Sequence, residues 1–428
     1  MKYHVIVFGC QMNISDSERI STILDELKYK NTSNINEADL IVVTMCSVRQ
    51  SAVDRVHGLA LKFSRLKAKT ILTGCFLKKD EKVFASEFDH VVGIKDIKKI
   101  PKLLARQSNF LSGRTPLRVR KPAKNLLPSS YLNITPKYSS DFSANVPIMT
   151  GCNNFCAYCV VPYTRDREVS RPAKEIILEI KNLIKKGYKE VWLLGQNVNS
   201  YKDKNTNFPK LLKAINNIPG HFWIRFTSSH PKDFDNEVIE TMALGKNITP
   251  YLNLPIQSGD DKILKLMNRH YAVKDYKNKI KKLREKIPDI SLSTDIIVGF
   301  PSETKKQFEN TAKLFRAIKF DMAYINKYSP RAGTSASKFK NDVSTSEKKR
   351  REKVLTEILK QTALEKNKEL VGEETTVLIN SSRGDNWFGK NEHYKTIKIK
   401  SNKNLLGKLI KVKITDAQPF VLKGEINE

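Results

Sequence analysis

The chain of 428 residues lacks any apolar run close to the roughly 18 to 20 residues that span a bilayer. This absence excludes a protein built on transmembrane helices. With 40% hydrophobic residues, the chain is also too apolar to be disordered along its whole length. Residues 1–10 already have the pattern of a β-strand, which leaves no place for a signal or transit peptide. We therefore expect a cytoplasmic protein of several domains, without a membrane partner.

Acidic residues are scarce beside basic ones. The chain has 45 Asp and Glu residues against 76 Lys and Arg residues, a formal net charge of +31. Such a charge attracts phosphate-rich partners and makes nucleic acid the first candidate. A Lys-, Asn- and Ile-rich composition inherited from an AT-rich genome would raise the charge as well. Composition alone leaves both explanations open.

Cysteine is scarce too, with six residues in two groups of three. In a reducing compartment, metal binding or redox chemistry explains them better than disulfides do. Cys152, Cys156 and Cys159 form a CxxxCxxC run, GCNNFCAYC, whose thiolates can share one metal centre. Structural zinc would want a fourth protein ligand, whereas an iron-sulfur cluster held by three cysteines leaves one iron open for a small chelating ligand. We favour the cluster over zinc and over unligated, packed thiols.

The other three cysteines follow apolar, β-branched runs in residues 1 to about 110. Helix-like stretches separate these runs, a pattern that predicts a parallel α/β sheet. Cys10, Cys46 and Cys75 each stand directly at the end of such a run. Since ligands bind at the carboxyl edge of open α/β sheets, we expect the three thiols to converge there.

A second α/β unit is predicted after a Pro- and Ser-containing linker, residues 117–143, that carries a basic cluster. Six strand-like runs separated by helical stretches favour a partial (β/α)6 barrel with its site on the carboxyl-end loops. Gly195, Gln196 and Asn197 follow the second run, and a site role is favoured for them. Ser228 follows the third, where a ligand contact and a simple turn are equally open.

The last part of the chain changes its pattern. A charged helix from Ser344 or Thr345 to about Leu370 precedes runs that alternate apolar and polar residues, typical of a small antiparallel β-barrel. Lysines lie on one face of these strands, and aromatic residues between them are equally suited to stack on RNA bases or to fill the core. These residues are Lys398, Lys400, Lys411, Lys413, Trp387, Phe388 and Tyr394.

The CxxxCxxC run resembles that of the radical S-adenosylmethionine enzymes. Further motifs narrow the resemblance to the methylthiotransferases, and within them to the MiaB-type tRNA branch, over essentially the whole chain. The motifs are GCQMN at residues 9–13, TMCSVR at 44–49, GCNNFCAYCVVPYTRDREVSRP from 151, LLGQNVNSY at 193–201, LPIQSG at 254–259 and DIIVGFPSET at 295–304.

The resemblance implies two 4Fe-4S clusters, one on each cysteine trio, and S-adenosylmethionine as cosubstrate. It implies transfer of a methylthio group to carbon 2 of an isopentenylated adenosine beside the anticodon of tRNA. An electron donor such as flavodoxin or ferredoxin would serve it, and we expect a monomer. No conventional general base is needed, so we name no catalytic residue beyond the cluster ligands. The cofactor-binding candidates are Gly195, Gln196, Asn197, Ser228, Gln257 and Gly299.

The predicted organisation is a cluster-binding methylthiotransferase domain at 1–116, the linker at 117–143, a radical domain with its trailing helix at 144–369 and a TRAM-like RNA-binding domain at 370–428. Three departures from the family pattern concern loop geometry and substrate contacts. Asp166 stands where glycine is usual, Asn253 where histidine is common, and RHY at residues 269–271 replaces a more usual Arg-Arg or Arg-Gly step. The alternatives are a methylthiotransferase acting on threonylcarbamoyl-adenosine in tRNA or on a ribosomal protein, and a non-catalytic iron-sulfur RNA-binding protein.

Overall fold

The computed structural model describes residues 1–47, 50–108 and 130–427. Its first unit is a five-stranded parallel sheet in the order β2-β1-β3-β4-β5, packed against helices. The strands are β1 Lys2–Phe8, β2 Lys30–Asn31, β3 Leu40–Cys46, β4 Lys69–Cys75 and β5 His90–Gly93. The helices are α1 Gln11–Glu26, α2 Gln50–Phe63, α3 Lys78–Phe84 and α4 Ile100–Ser108.

The central unit is a partial barrel of six parallel strands, as predicted. Its strands form two neighbouring three-stranded sheets, β6-β9-β12 and β13-β14-β15, joined by a bridge between Ile224 and Ile248. The six strands are β6 Ser143–Pro147, β9 Glu190–Leu194, β12 Trp223–Phe226, β13 Tyr251–Asn253, β14 Ser291–Val298 and β15 Met322–Lys327. Short accessory strands are β7 Met149–Thr150, β8 Val169–Ser170, β10 Lys202–Asp203 and β11 Thr206–Asn207.

Helices cover the outside of this barrel and bury a large aliphatic and aromatic core between helices and strands. They are α5 Val161–Thr164, α6 Ala173–Lys185, α7 Phe208–Asn216, α8 Asn236–Leu244, α9 Asp261–Leu266, α10 Val273–Lys286, α11 Lys305–Ile318 and α12 Thr345–Lys368. Ser344 caps α12 by accepting a hydrogen bond from the Glu347 amide, as its sequence position predicts.

The last unit is a closed five-stranded barrel in the order β16-β17-β18-β20-β19. Its strands are β16 Glu374–Arg383, β17 Asn386–Asn391, β18 Thr396–Lys400, β19 Leu409–Ala417 and β20 Leu422–Ile426. In β19 the exposed Lys411 and Lys413 alternate with the buried Val412, so the predicted lysine face points outward. The basic cluster of the predicted linker, at residues 118–124, lies outside the described residues.

The N-terminal sheet packs on the barrel through α1. The Ser15 hydroxyl donates to the Asn145 carbonyl in β6, and the Glu18 carboxylate accepts hydrogen bonds from Ser139. One buried cluster contains Met12 of α1 together with Trp192 and Leu194 of β9. Helix α1 thereby places the carboxyl edge of the first sheet beside the carboxyl edge of the barrel. Within the described residues, no helix is both long and apolar enough to cross a membrane.

Candidate active site

The N-terminal cysteine trio gathers at the carboxyl edge of the first sheet. Cys46 and Cys75 end β3 and β4 and are register neighbours, and their thiols are hydrogen-bonded to each other. Cys10 caps α1 directly after β1. Buried Asn13 spans the trio: its Oδ1 accepts from the Cys10 thiol at 3.5 Å, and its Nδ2 donates to the Cys75 sulfur at 3.8 Å. The three thiols therefore lie together at the strand ends, as predicted.

The second trio lies on a loop that the antiparallel pair β7 and β8 closes at its base. Gly151 begins the loop with φ +83°, and a Cβ there would lie 2.0 Å from the Arg167 carbonyl oxygen, so only glycine fits. The Gly151 amide donates to the Gln196 side chain at 2.5 Å, and the Ala157 amide donates to the Met267 carbonyl at 2.9 Å. The barrel itself therefore holds the backbone between the cysteines.

Arg165 joins the two trios. It follows the second trio at the end of α5, and its fully buried guanidinium reaches into the first unit. There its Nε donates to the Cys75 sulfur at 2.8 Å, its Nη1 to the Tyr131 hydroxyl at 2.9 Å, and its Nη2 to the Asp16 carboxylate at 2.5 Å. Asp16 is fully buried as well, so this is a desolvated ion pair between domains.

Asp166, the first departure from the family pattern, adopts φ +63°, in the left-handed region that favours glycine. Its carboxylate forms an ion pair with Lys95, which follows β5. Asp is one of the few side chains that tolerate this conformation. The chain therefore keeps the backbone turn that glycine would provide and adds a contact between the radical loop and the first sheet.

A cavity of about 410 Å³ lies at the second trio, inside the barrel. Cys152, Cys156 and Cys159 line it together with Gln11 from the N-terminal unit and Tyr394 from the C-terminal barrel. All three units therefore contribute to one site, which sequence analysis did not foresee for the C-terminal barrel.

Three of the six cofactor-binding candidates line this cavity: Gln196, Ser228 and Gln257. Ser228 and Gln257 lie in the loops after β12 and β13, and both have positive φ, +65° and +71°. Non-glycine residues held in this region mark a backbone whose shape the site determines. The placement is consistent with contacts to a bound ligand, and their role as cofactor contacts stays a prediction.

The other three candidates lie outside the cavity lining. A Cβ on Gly195 would lie 2.6 Å from Met149 Cγ, and one on Gly299 would lie 2.3 Å from Lys348 Cγ, so both glycines permit close packing. The Asn197 Nδ2 donates to Asp233 at 2.7 Å, which anchors the loop after β9. The two glycines therefore allow close packing and Asn197 fixes a loop, without lining the cavity.

Two further polar residues face the cavity: His230, for which a ligand contact and a simple turn are equally open from its position after the third strand-like run, and Arg269, which the sequence does not single out as a ligand contact. Arg269 is buried and donates to the Cys156 sulfur at 3.4 Å and to the Pro255 carbonyl at 2.7 Å. Burial, reinforced by Arg269, lowers the pKa of His230 to about 2, so the imidazole is neutral. The Lys232 amide donates to His230 Nδ1, which leaves Nε2 as the protonated nitrogen.

Asn253, the second departure from the family pattern, also lines the cavity. Its side-chain amide donates to Ser293 and Asp295.

Tyr394 enters the barrel from the turn between β17 and β18. Its ring lies 4.6 Å from that of Tyr251 and 5.1 Å from that of Trp192, and its φ is +61°. Arg225 of β12 holds this turn, because its guanidinium donates to the Asn391 and Glu392 carbonyls at 2.6 and 2.8 Å. The C-terminal barrel is thus fastened to the wall of the cavity.

Comparison with known proteins matches each unit to a family model. These are the Radical SAM superfamily at residues 146–315, the "Uncharacterized protein family UPF0004" at 2–94 and the TRAM domain at 368–426. The tRNA-2-methylthio-N(6)-dimethylallyladenosine synthase of Thermoanaerobacter sp. (strain X514) is 40% identical, over 100% of this chain and 93% of its own length. The synthase of Caldicellulosiruptor saccharolyticus is 40% identical over 99% of this chain and 92% of its own.

The chain belongs to this synthase family. Its members are radical S-adenosylmethionine enzymes that use 4Fe-4S clusters. Among solved structures, the radical S-adenosylmethionine methyltransferase TsrM from Kitasatospora setae has a TM-score of 0.56 at 14% identity. The match covers 90% of this chain and 79% of that one, and it supports the fold alone.

The donor sets of this synthase-family chain fit the clusters that the family uses. All six cysteines are free thiols. Burial, followed by smaller contributions that include neighbouring thiols, raises the pKa of Cys152 to about 11 and of Cys159 to about 12. A bound metal centre reverses this, because a coordinating thiol is deprotonated outright. Among the described residues, no three His, Cys, Asp or Glu side chains are placed to ligate a single ion.

Proposed function

We propose that this chain transfers a methylthio group to carbon 2 of an isopentenylated adenosine beside the anticodon of tRNA. The observation that carries the proposal is the link from the loop of the second trio through Arg165 to Cys75 of the first. This link lies next to the loop whose cysteines line the cavity, in a chain 40% identical to synthases of that activity over its whole length. S-adenosylmethionine and the clusters, when bound, supply the radical and the sulfur chemistry.

We further propose that each trio holds one 4Fe-4S cluster, with Cys152, Cys156 and Cys159 as one ligand set and Cys10, Cys46 and Cys75 as the other. Three protein ligands leave one iron of each cluster open for a small ligand. Arg269 offers a buried cation beside Cys156, suited to an anionic group of that ligand. Gln196, Ser228 and Gln257 orient a ligand from the strand ends, and His230 offers a neutral N–H donor.

The three units have separate tasks in this proposal. We assign residues 1–116 to the sulfur-supplying cluster, 144–369 to the radical chemistry and 370–428 to RNA binding, with 117–143 as linker. The exposed Lys400, Lys411 and Lys413 and the half-buried Lys398 are suited to phosphate contacts. The protein acts in the cytoplasm as a monomer, and a flavodoxin or ferredoxin supplies its electron.

The test is mass spectrometry of tRNA nucleosides from cells with and without the gene. The proposal predicts that 2-methylthio-isopentenyladenosine disappears from cells without the gene while isopentenyladenosine accumulates. If the methylthio derivative of threonylcarbamoyl-adenosine disappeared instead, or if tRNA were unchanged, the substrate assignment would be wrong. A plasmid copy carrying Cys156→Ala is the matched control, because it restores the protein without its radical site.

A further inference from the structure

A shallow groove lies on the outer side of the loop that carries the second cysteine trio. Its volume is about 900 Å³, and it extends from that loop to α9 and to the segment after β15. Phe155 and Ala157, which stand between the cysteines of the trio, form part of its wall. The groove therefore borders the loop that carries the three thiols.

The groove exposes an unusual amount of apolar side chain. Tyr163 is 47% exposed, Leu266 42% and Phe339 39%, and all three line it. Single exposed apolar residues are normal on a protein surface, but a cluster of them marks an interaction site. Apolar contact is thus available here to a partner.

The charged residues that line this apolar surface are basic. Lys262 and Lys265 of α9 are exposed and line the groove, and the exposed Arg167 stacks on the Phe155 ring at 4.2 Å. None of the described residues that line the groove is Asp or Glu. The surface therefore complements a partner that carries carboxylates around an apolar centre.

The groove is set apart from the surfaces assigned to RNA. Its described lining comes entirely from the central unit, whereas the cavity is lined also by Gln11 of the first unit and Tyr394 of the C-terminal barrel. The lysines assigned to RNA lie on the C-terminal barrel, which contributes no residue to the described lining of the groove. The radical reaction proposed for the cavity instead requires that an electron be delivered to the second trio.

We propose that this groove is the docking site of a small acidic electron-carrier protein. This inference rests on the proposed function and names where its electron enters. The carrier loses one electron at the groove, and S-adenosylmethionine takes it up as the bond between its sulfur and the 5′ carbon breaks into methionine and a 5′-deoxyadenosyl radical. Lys262 and Lys265 steer the acidic partner, while Tyr163, Leu266 and Phe339 provide the contact.

The experiment compares two reductants on the reconstituted full-length enzyme, namely a bacterial flavodoxin hydroquinone at limiting concentration and dithionite. The variant Lys262→Glu/Lys265→Glu reverses the charge of the groove, and Leu266→Gln removes an apolar contact. Electrostatic steering contributes 10-fold or more to association rates at low salt. We expect the double variant to form 5′-deoxyadenosine about 10-fold more slowly with flavodoxin, and at the wild-type rate with dithionite.

The control is Lys277→Glu/Lys281→Glu, an equal charge change on the exposed face of α10 outside the groove lining. It should leave both rates within 2-fold of the wild type. An unchanged flavodoxin rate in the groove variant would overturn the proposal, as would an equal loss with dithionite. Loss of tRNA affinity with an unchanged flavodoxin rate would make the groove an RNA surface. Failure of tRNA methylthiolation by the wild type with dithionite would instead refute the proposed function.

Discussion

Arg165 links the radical loop to the N-terminal cysteines through its contact with Cys75. Its guanidinium is fully buried between Asp16, Tyr131 and Cys75. A buried ion pair gains little over a neutral pair of the same shape, but removing one partner leaves an uncompensated charge. The main contribution of the Arg165–Asp16 pair is therefore to fix the two units relative to each other.

We predict that Arg165→Gln and Asp16→Asn each destabilise the protein by about 3 to 5 kcal/mol, because each leaves the other charge buried and unpaired. The double variant should cost clearly less than the sum, with a coupling of at least about 1 kcal/mol. Denaturant unfolding of the four proteins, monitored by circular dichroism, measures this cycle. Strict additivity would show that the pair is not coupled.

Asp166 shows how a departure from a family pattern is tolerated at one residue. We predict that Asp166→Gly changes the unfolding free energy by less than about 1 kcal/mol. Glycine accepts the positive φ without strain, and the exposed ion pair with Lys95 contributes little. Asp166→Val should destabilise by about 1 to 3 kcal/mol, because a β-branched residue does not fit that conformation. Equal melting temperatures for the two variants would contradict this reading.

At the scale of elements, the sequence predicts most of what positions the cysteines. β3 and β4 end at Cys46 and Cys75, as their apolar β-branched runs indicate, and the helical pattern of residues 305–318 predicts the observed bounds of α11, Lys305–Ile318. The run YLNLPI at residues 251–256 predicts a strand of that length, but β13 ends at Asn253, because the following residues turn toward the cavity. Helix α7 was not predicted, although Asn207 caps it and Pro209 stands in its first turn.

The two cysteine trios also predict how much iron the protein binds. Anaerobically reconstituted protein should bind about eight irons, since each trio can hold one four-iron cluster. Replacing Cys152, Cys156 and Cys159 together by Ala should leave about half of them, on the sheet edge. Iron and acid-labile sulfide assays measure this. A triple variant that is folded but free of iron, or a native protein carrying zinc, would refute two independent clusters.

The outward lysines of β19 carry the prediction for RNA binding. The slope of log affinity against log salt is negative. If each lysine contacts one phosphate, Lys411→Gln and Lys413→Gln should each reduce the magnitude of this slope by about 0.7 to 0.9. Filter-binding titrations with tRNA over a range of salt concentrations measure the slope, with Lys277→Gln/Lys281→Gln as the matched control pair. If the slopes of both pairs equal that of the wild type, another surface holds the RNA.

At the scale of the whole molecule, the C-terminal barrel is more than an attached RNA-binding module. Tyr394 lines the cavity, and Arg225 ties its turn to the radical barrel. No local sequence pattern predicts this contact. Arg225 is 166 positions from Asn391 and 167 from Glu392, so the contact depends on tertiary packing alone. Deleting the barrel would also uncover Trp192 and Tyr251, so point substitutions are the cleaner test of RNA binding.

The division of labour between the two trios is the central claim, and one pair of variants tests it most directly. Reconstituted Cys46→Ala and Cys156→Ala are each incubated with S-adenosylmethionine, dithionite and isopentenylated tRNA. Mass spectrometry then measures 5′-deoxyadenosine and methylthiolated nucleoside in each reaction. We predict that Cys46→Ala still forms 5′-deoxyadenosine but no methylthio product, and that Cys156→Ala forms neither. Full methylthiolation by Cys46→Ala would contradict the account, because it would remove the N-terminal trio from the reaction.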